Sequence, residues 1–416
     1  MSSDERRAAP DVRVRQALNT VVSTERVAVV ATLIRVTGDW DLAEDCVQDA
    51  VEKALARWPV AGGPRNPAAW LTTVARNRAL DVLRRRQTER TKLAEVAIMD
   101  ELERDGAAPV ETIADDRLRL IFTCCHPALP VESRVALTLK TIAGLSTSEI
   151  ARAFLTSEPT LSQRLLRAKR KISKAGIPYR VPPDHLLAER TSGVLAVIYL
   201  IFNAGFGAPD GHLAAEALRL ARLLVDLLPD EDEARGLLAL IALQHARRAT
   251  RVDDAGDLIQ MEEQDRSAWD RSLIDEGLWH LRRAASTERP TGTYRLQAEI
   301  ARCHATAPDA GSTDWAAIVN HYDALLVVQP SPVIALNRAV AVGFCDGPVA
   351  GLMELDSLSG APELASYHLL PATRADFLRR LGRNAEAADA YRQAYDLAPT
   401  EADRRFLHRR LQECEH

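Results

Sequence analysis

Two stretches of this chain carry side chains suited to nucleic acid. From Pro159 to Lys174 no acidic residue occurs, while Arg164, Arg167, Lys169, Arg170, Lys171 and Lys174 crowd together. Thr160, Ser162 and Gln163 open the stretch, where a helix entering a major groove meets base edges, and a glutamine can pair with adenine. Arg164 and Arg167 suit guanine or phosphate, and the remaining cations suit phosphate. The second stretch holds Arg76, Asn77, Arg78, Arg84, Arg85 and Arg86, a basic, amide-bearing edge fitted to a single strand. The Gly-rich loop 59–66 ahead of it is free to shape a pocket for an unstacked base. A third cluster, Cys124-Cys125-His126, invites metal or nucleophile chemistry. Adjacent cysteines do not easily share one tetrahedral ion, and no Cys-x-x-Cys pair exists among the cysteines. The expectation is therefore no metal, no cofactor, no catalytic residue and reduced thiols; the sequence reads as a protein that is not an enzyme.

The elements that position these groups read as helices. Leu145 to Phe154 is a short capped helix, 155–158 the turn, and Pro159 lies in the first turn of a second helix. Leu161, Leu165, Ala168 and Ile172 recur at helical spacing and form its inner face, so the pair is a helix-turn-helix. The arginine-rich edge belongs to a helix opened by Asn66-Pro67 and running to about Arg86, with Trp70, Leu71, Val74, Leu80 and Leu83 as its core. Ahead of it, Asp41 to Trp58 forms a helix ended by Pro59. Leu42, Cys46, Val47 and Ala50 line one side of that helix, and Asp41, Glu44, Asp45, Gln48, Asp49 and Glu52 the other. An acidic face repels DNA and suits a basic protein partner, although a merely solvated helix carries such a face too.

The chain is all-α by expectation: aromatics are only 5% of 416 residues, while Ala, Leu and Arg abound. That length calls for two or three domains. We assign 13–90, a charged linker at 91–111, a helix-turn-helix domain at 112–180, and a last domain at 184–416 beyond Pro182-Pro183. The net charge of −5 divides unevenly, +6 over residues 1–183 and −11 over the rest, so cationic patches belong to the first half. No run of about 20 apolar residues is apparent, nor a signal core in Met1 to Pro10, so a cytoplasmic protein without membrane contact is expected.

The last domain repeats itself. Ala217, Ala221, Leu224 and Pro229 share their spacing with Ile318, Tyr322, Leu325 and Pro330, and with Ala387, Tyr391, Ala394 and Pro399. The intervals approximate multiples of the roughly 34-residue tetratricopeptide period, predicting stacked helix pairs that offer a surface to a partner. Gln264-Asp265-Arg266 and Trp269-Asp270 read as a structural knot between repeats.

The string Gly38-Asp39-x-Asp41-Leu42-Ala43-Glu44-Asp45-x-x-Gln48-Asp49-Ala50, followed by Trp70-Leu71…Ala75-Arg76-Asn77…Asp81…Arg84-Arg85, resembles sigma region 2, and 115–175 resembles sigma region 4. Together they resemble extracytoplasmic-function (ECF) sigma factors. Asp116 to Pro127, Gln264 to Asp270 and Ala335 to Ala341 resemble the group whose C-terminal extension is tetratricopeptide-like and which is linked to small DGPF/YCII-type proteins. The resemblance implies that Asp45, Gln48 and Asp49 meet the β′ clamp helices of core RNA polymerase. It implies that Asn77 and the 59–66 loop hold the melted −10 strand of promoter DNA, with Arg76, Arg84 and Arg85 on its backbone. Thr160, Ser162, Gln163, Arg164, Arg167 and Lys171 fall on the −35 reading helix. The aromatic common in the family's base-capturing loop has no counterpart between Val60 and Asn66. Rival readings are a stand-alone helix-turn-helix regulator with a sensing C-terminal domain, and an enzyme using Cys124, Cys125 and His126.

Overall fold

Helix follows helix in the computed structural model, which describes residues 26–61, 64, 66–89, 110–154, 156–206, 212–253, 257–285 and 290–415. Among the described residues there is no β-strand, only an isolated bridge between Val252 and Leu258. The chain divides into two units, one up to Glu216 and one from Ala217.

The first unit opens with α1 (26–37) and α2 (Trp40–Ala61). Gly38 turns the chain between them at φ +63°, a value glycine takes without a Cβ clash, while its amide still bonds Ile34 O at 2.9 Å. Asp39 Oδ1 then accepts the Leu42 amide at 3.0 Å and caps α2. Contrary to expectation, α2 runs past Pro59 to Ala61, because a proline forfeits only its own amide bond and need not end a final turn. Helix α3 (Pro67–Glu89) starts as predicted, with Asn66 Oδ1 accepting the Ala69 amide at 3.0 Å and Pro67 as the first helical residue. It continues three residues beyond the expected Arg86. Leu71, Ala75, Ala79 and Leu83 bury its inner face, and Trp70 meets Trp58 edge-on at 5.3 Å. Residues 13–25, the start of the expected first domain, and most of the expected linker lie outside the described residues.

There follow α4 (Val110–Cys124), α5 (Val131–Leu137) with its π-helical continuation Thr138–Ala143, α6 (Thr147–Ala153) and α7 (Glu158–Lys174). Helix α8 (Asp184–Phe206) departs from the sequence reading once. It is long and apolar enough to cross a membrane by length and composition, which the sequence reading did not register. It packs against α4 and α5. Val194, Val197, Ile198, Ile201 and Phe202 bury its apolar side, and Arg190 Nη2 donates to Phe122 O at 2.7 Å. The boundary between the two units falls within α9 (His212–Leu227).

The second unit continues with α10 (Asp232–His245), α11 (Arg271–Ala285), α12 (Thr293–Thr306), α13 (Trp315–Val328) and α14 (Pro332–Cys345). It ends with α15 (Pro348–Leu358), α16 (Leu369–Arg380), α17 (Asn384–Leu397) and α18 (Glu401–Glu415). From α12 onward each helix packs on the next in sequence, as stacked pairs require. The repeated residues do what their spacing predicts. Ala217, Ala221, Leu224, Ile318, Leu325, Ala387, Tyr391 and Ala394 are buried, Tyr322 is half-buried, and Pro229, Pro330 and Pro399 each stand two residues beyond a helix end. The predicted knot is present: Arg266 Nη1 donates to His304 O and Ala307 O at 2.6 and 2.9 Å, and its guanidinium lies 5.0 Å from the Trp269 ring. Trp269 Nε1 in turn donates to Thr250 Oγ1 at 2.9 Å.

Candidate nucleic-acid and polymerase interface

The helix-turn-helix is built by two caps. Ser146 and Glu149 form a capping box at α6: the Glu149 amide donates to Ser146 Oγ at 3.2 Å, and the Ser146 amide to Glu149 Oε2 at 2.7 Å. These bonds with Ser146 hold the Glu149 carboxyl below the usual range. Ser157 caps α7 by accepting the Thr160 amide at 3.3 Å. Leu161, Leu165, Ala168 and Ile172 are buried, and Ala151 of α6, 2% exposed, allows the close crossing.

That arrangement sets Thr160, Ser162, Gln163, Arg167 and Lys171 in solvent with Arg164 half-buried; at about 100° per residue Thr160, Gln163, Arg164, Arg167 and Lys171 share one face, and Ser162 lies about 100° beyond Gln163. Arg170 and Lys174 are exposed as well. Lys169 is different. Expected among the phosphate binders, it turns inward and donates to Asp41 Oδ1 at 2.7 Å and Glu44 Oε2 at 3.0 Å on α2. Burial alone would lower its pKa, but Glu44 and Asp41 overcome that and hold it above the ordinary lysine value. Its place one residue after Ala168 and four after Leu165, at the border of the buried stripe, was the available signal.

On α2, Asp45 and Gln48 are exposed, and Gln48 Nε2 donates to Glu52 Oε1 at 3.2 Å. Asp49 is half-buried because Arg78 Nε reaches its Oδ2 at 2.6 Å. Asp41, Asp45, Gln48, Asp49 and Arg78 line one cleft of about 430 Å³, so the three predicted polymerase contacts are brought together. On α3, Asn77, Arg84 and Arg85 are exposed and Arg76 is half-buried. Successive helical residues turn by about 100°, which puts Asn77 and Arg84 on one face and Arg76 at its flank. The side chains of 59–63 and Arg86 lie outside the described residues.

The sequence did not reveal what ties α1 and α2 to α4–α7. Asp116, fully buried, accepts Arg35 Nε at 3.0 Å, Arg119 Nη1 at 3.2 Å and Thr32 Oγ1 at 3.3 Å. Tyr179 donates to Ala31 O at 2.9 Å, and Thr141 Oγ1 to Glu44 Oε1 at 2.9 Å. The Cys124-Cys125-His126 cluster lies at the C-terminal end of α4. Both thiols are buried, and burial pushes Cys125 up to about 11 and Cys124 well above the ordinary thiol value, so both are protonated at neutral pH. No group of residues among those described could hold a metal ion.

The chain is similar to known proteins along most of its length. Residues 21–89 match sigma-70 region 2, residues 119–172 match sigma-70 region 4, and residues 190–285 match a family of unknown function. An uncharacterized protein of Rhizobium meliloti is 40% identical over 93% of this chain and 93% of its own. The probable ECF RNA polymerase sigma factor SigI of Mycobacterium tuberculosis is 31% identical over 38% of this chain and 55% of its own. The ECF RNA polymerase sigma factor SigL of the same organism is 32% identical over 33% of this chain and 77% of its own. No solved structure matches the chain. With region 2 and region 4 folded in order, and relatives of that kind covering both, the chain belongs to the ECF RNA polymerase sigma factors.

Proposed function

We propose that this chain binds core RNA polymerase through Asp45, Gln48 and Asp49, reads a −35 element with the outer face of α7, and opens the −10 duplex with α3. The observation that carries this reading is the separation of charge within one unit. An acidic cleft on α2 suits a basic protein, and the outward face of α7 from Thr160 to Lys171 suits DNA. Catalysis belongs to the polymerase, and this chain contributes binding and strand separation. Run-off transcription with purified core polymerase tests it. A promoter-specific product is expected, and a gel shift of equal strength without polymerase would favour a stand-alone regulator.

The second unit, with its stacked helix pairs, modulates this activity through a protein contact, for which a small DGPF/YCII-type protein is the candidate. A chain ending after Phe206 keeps α8 on its partners α4 and α5 and removes the repeats. Transcription by that shortened chain differs from the full chain in this reading, and equal output would sink it.

A further inference from the structure

The last helix of the second unit is clasped by a loop from near the unit's start. Residues 247–269 join α10 to α11, and the Asp270 amide closes the base of the loop by donating to Ala246 O at 2.9 Å. Among its described residues the loop holds only two 3₁₀ turns, Arg248–Thr250 and Arg266–Ala268. Connections longer than about 12–15 residues without helix or strand are uncommon and usually functional. The knot of Arg266 and Trp269 fixes the returning end, and Gln264 Nε2 donates to Ile259 O at 3.0 Å. The part from Asp257 to Glu263 lies on α18. Arg405 Nε stands 2.5 Å from Asp257 Oδ1, and Arg409 Nη1 3.8 Å from Asp257 Oδ2. Arg410 Nη2 stands 2.6 Å from Gln260 Oε1 and 2.9 Å from Glu263 Oε1.

Charge and packing describe an occupied docking face rather than a core. From Asp253 to Asp265 the loop sequence carries six carboxylates and no Lys or Arg, while Arg404 to Arg410 of α18 holds four arginines and no carboxylate. The cations of α18 are compensated, and largely by the loop. Asp257 serves Arg405 and Arg409, and Glu263 shares Arg410 with Glu413. Asp403 is engaged by the Thr400 hydroxyl in the α18 cap. These ion pairs are partly exposed, Glu263 by 51%, and such pairs hold weakly. Beneath them Leu258, Ile259 and Met261 are only half-buried, and a cavity of about 320 Å³ separates them from Leu369 and Phe406. A close-packed interior leaves few voids larger than a water molecule, so the loop is seated on α16 and α18 without being fused to them.

We propose that this face of α16 and α18 docks an acidic peptide of a partner protein, and that residues 257–263 occupy it in cis until the partner replaces them. Lifting the loop takes the Asp257 carboxylate from Arg405 and Arg409, so a replacing peptide must bring its own. It carries an acid, an apolar pair and a second acid, spaced as Asp257, Leu258-Ile259 and Glu263 are. This rests on the reading that the second unit works through a protein contact, and it names the chemistry of that contact. The test is fluorescence anisotropy of a labelled peptide with the sequence of residues 257–265, titrated with the full chain. It needs neither polymerase nor promoter, so its failure is distinct from failure of the transcription test on the shortened chain. A tethered loop competes at roughly millimolar effective concentration, so expelling it by Asp257→Lys with Glu263→Lys tightens peptide binding about tenfold or more over the parent chain. A peptide with lysine at those two positions does not bind. Adding Arg405→Glu and Arg410→Glu to the loop variant re-forms the clasp with its signs exchanged and abolishes binding. If the charge reversal lowers the helical circular dichroism, Asp257→Asn with Glu263→Gln frees the face instead. Equal binding by the parent and the folded loop variant, no binding by either at about 1 mM, or equal binding of the lysine peptide would each overturn the proposal. A parent chain that sediments as a dimer, made monomeric by Asp257→Lys with Glu263→Lys, would seat a second copy's loop on α18 and overturn it too.

Discussion

Lys169 Nζ stands 3.0 Å from Glu44 Oε2, and each side chain is only 13% exposed, so a cation of the reading helix is anchored on the acidic helix. Glu44 also accepts the Thr141 hydroxyl, whereas Asp41, the other partner of Lys169, is 72% exposed and contributes little. Lys169→Met leaves Glu44 with one donor in a half-dry setting, and we expect a loss of about 1–3 kcal/mol in urea unfolding of the first unit. Glu44→Gln with Lys169→Met costs less than the sum of the single changes, because the two share one interaction. The folded pKa of Lys169 is raised, so its stabilisation is complete at neutral pH and is lost only as pH rises through that value, above about 10.4. A Lys169→Met variant as stable as the parent at pH 7 would contradict this.

The outer face of α7 behaves oppositely. Gln163, Arg167 and Lys171 are exposed, so alanine there leaves stability within about 0.5 kcal/mol. Promoter binding by the holoenzyme separates them. A base-edge contact from Gln163 or Arg167 is worth about 1–3 kcal/mol and its loss relaxes specificity. Lys171→Ala weakens all sequences alike and lowers the slope of log affinity on log salt by about 1. Titration of fluorescent promoters over a potassium chloride series measures both.

Such contrasts mark what the sequence could reveal. Local signals read well: the Asn66-Pro67 start of α3, the short capped helix ahead of the turn, the inner stripe of α7, and the prolines two residues past α9, α13 and α17 all depend on neighbours a few positions away. Pairings across the chain did not. Lys169 finds Asp41 across 128 residues and Arg35 finds Asp116 across 81, and nothing in one strand of letters says which of many charges will meet. The packing partners of helix α8 were hidden for a related reason. Pro182-Pro183 marks a break in the backbone, but which unit a helix then packs on is decided by apolar faces that meet only in the fold.

Thiol accessibility offers a separate check. Cys345 is exposed, and Cys46, Cys124, Cys125, Cys303 and Cys414 are buried. Titration with a disulfide reagent at pH 8 is expected to give one thiol reacting readily and five reacting only with unfolding. Fast reaction of Cys124 or Cys125 would support the rival reading of nucleophile chemistry there.

Among the glycines described in the second unit, the closest approach to a side chain is made to Phe377, which is 1% exposed. A Cβ on Gly343 of α14 would sit 2.1 Å from its Cζ, and one on Gly351 of α15 would sit 2.4 Å from its Cε2. Two glycines on consecutive helices thus make the space that one aromatic ring of α16 fills. Gly343→Ala forces that ring or α14 to shift, and we expect about 1–3 kcal/mol of destabilisation from overpacking. Phe377→Leu alone leaves a void and is destabilising too. Combined with Gly343→Ala it removes part of the ring that the new methyl would strike, so the double variant is more stable than the sum of the two losses predicts. Urea unfolding followed by circular dichroism reads the cycle. Strict additivity would mean that the methyl is accommodated elsewhere and that Phe377 does not set the spacing of α14 and α15.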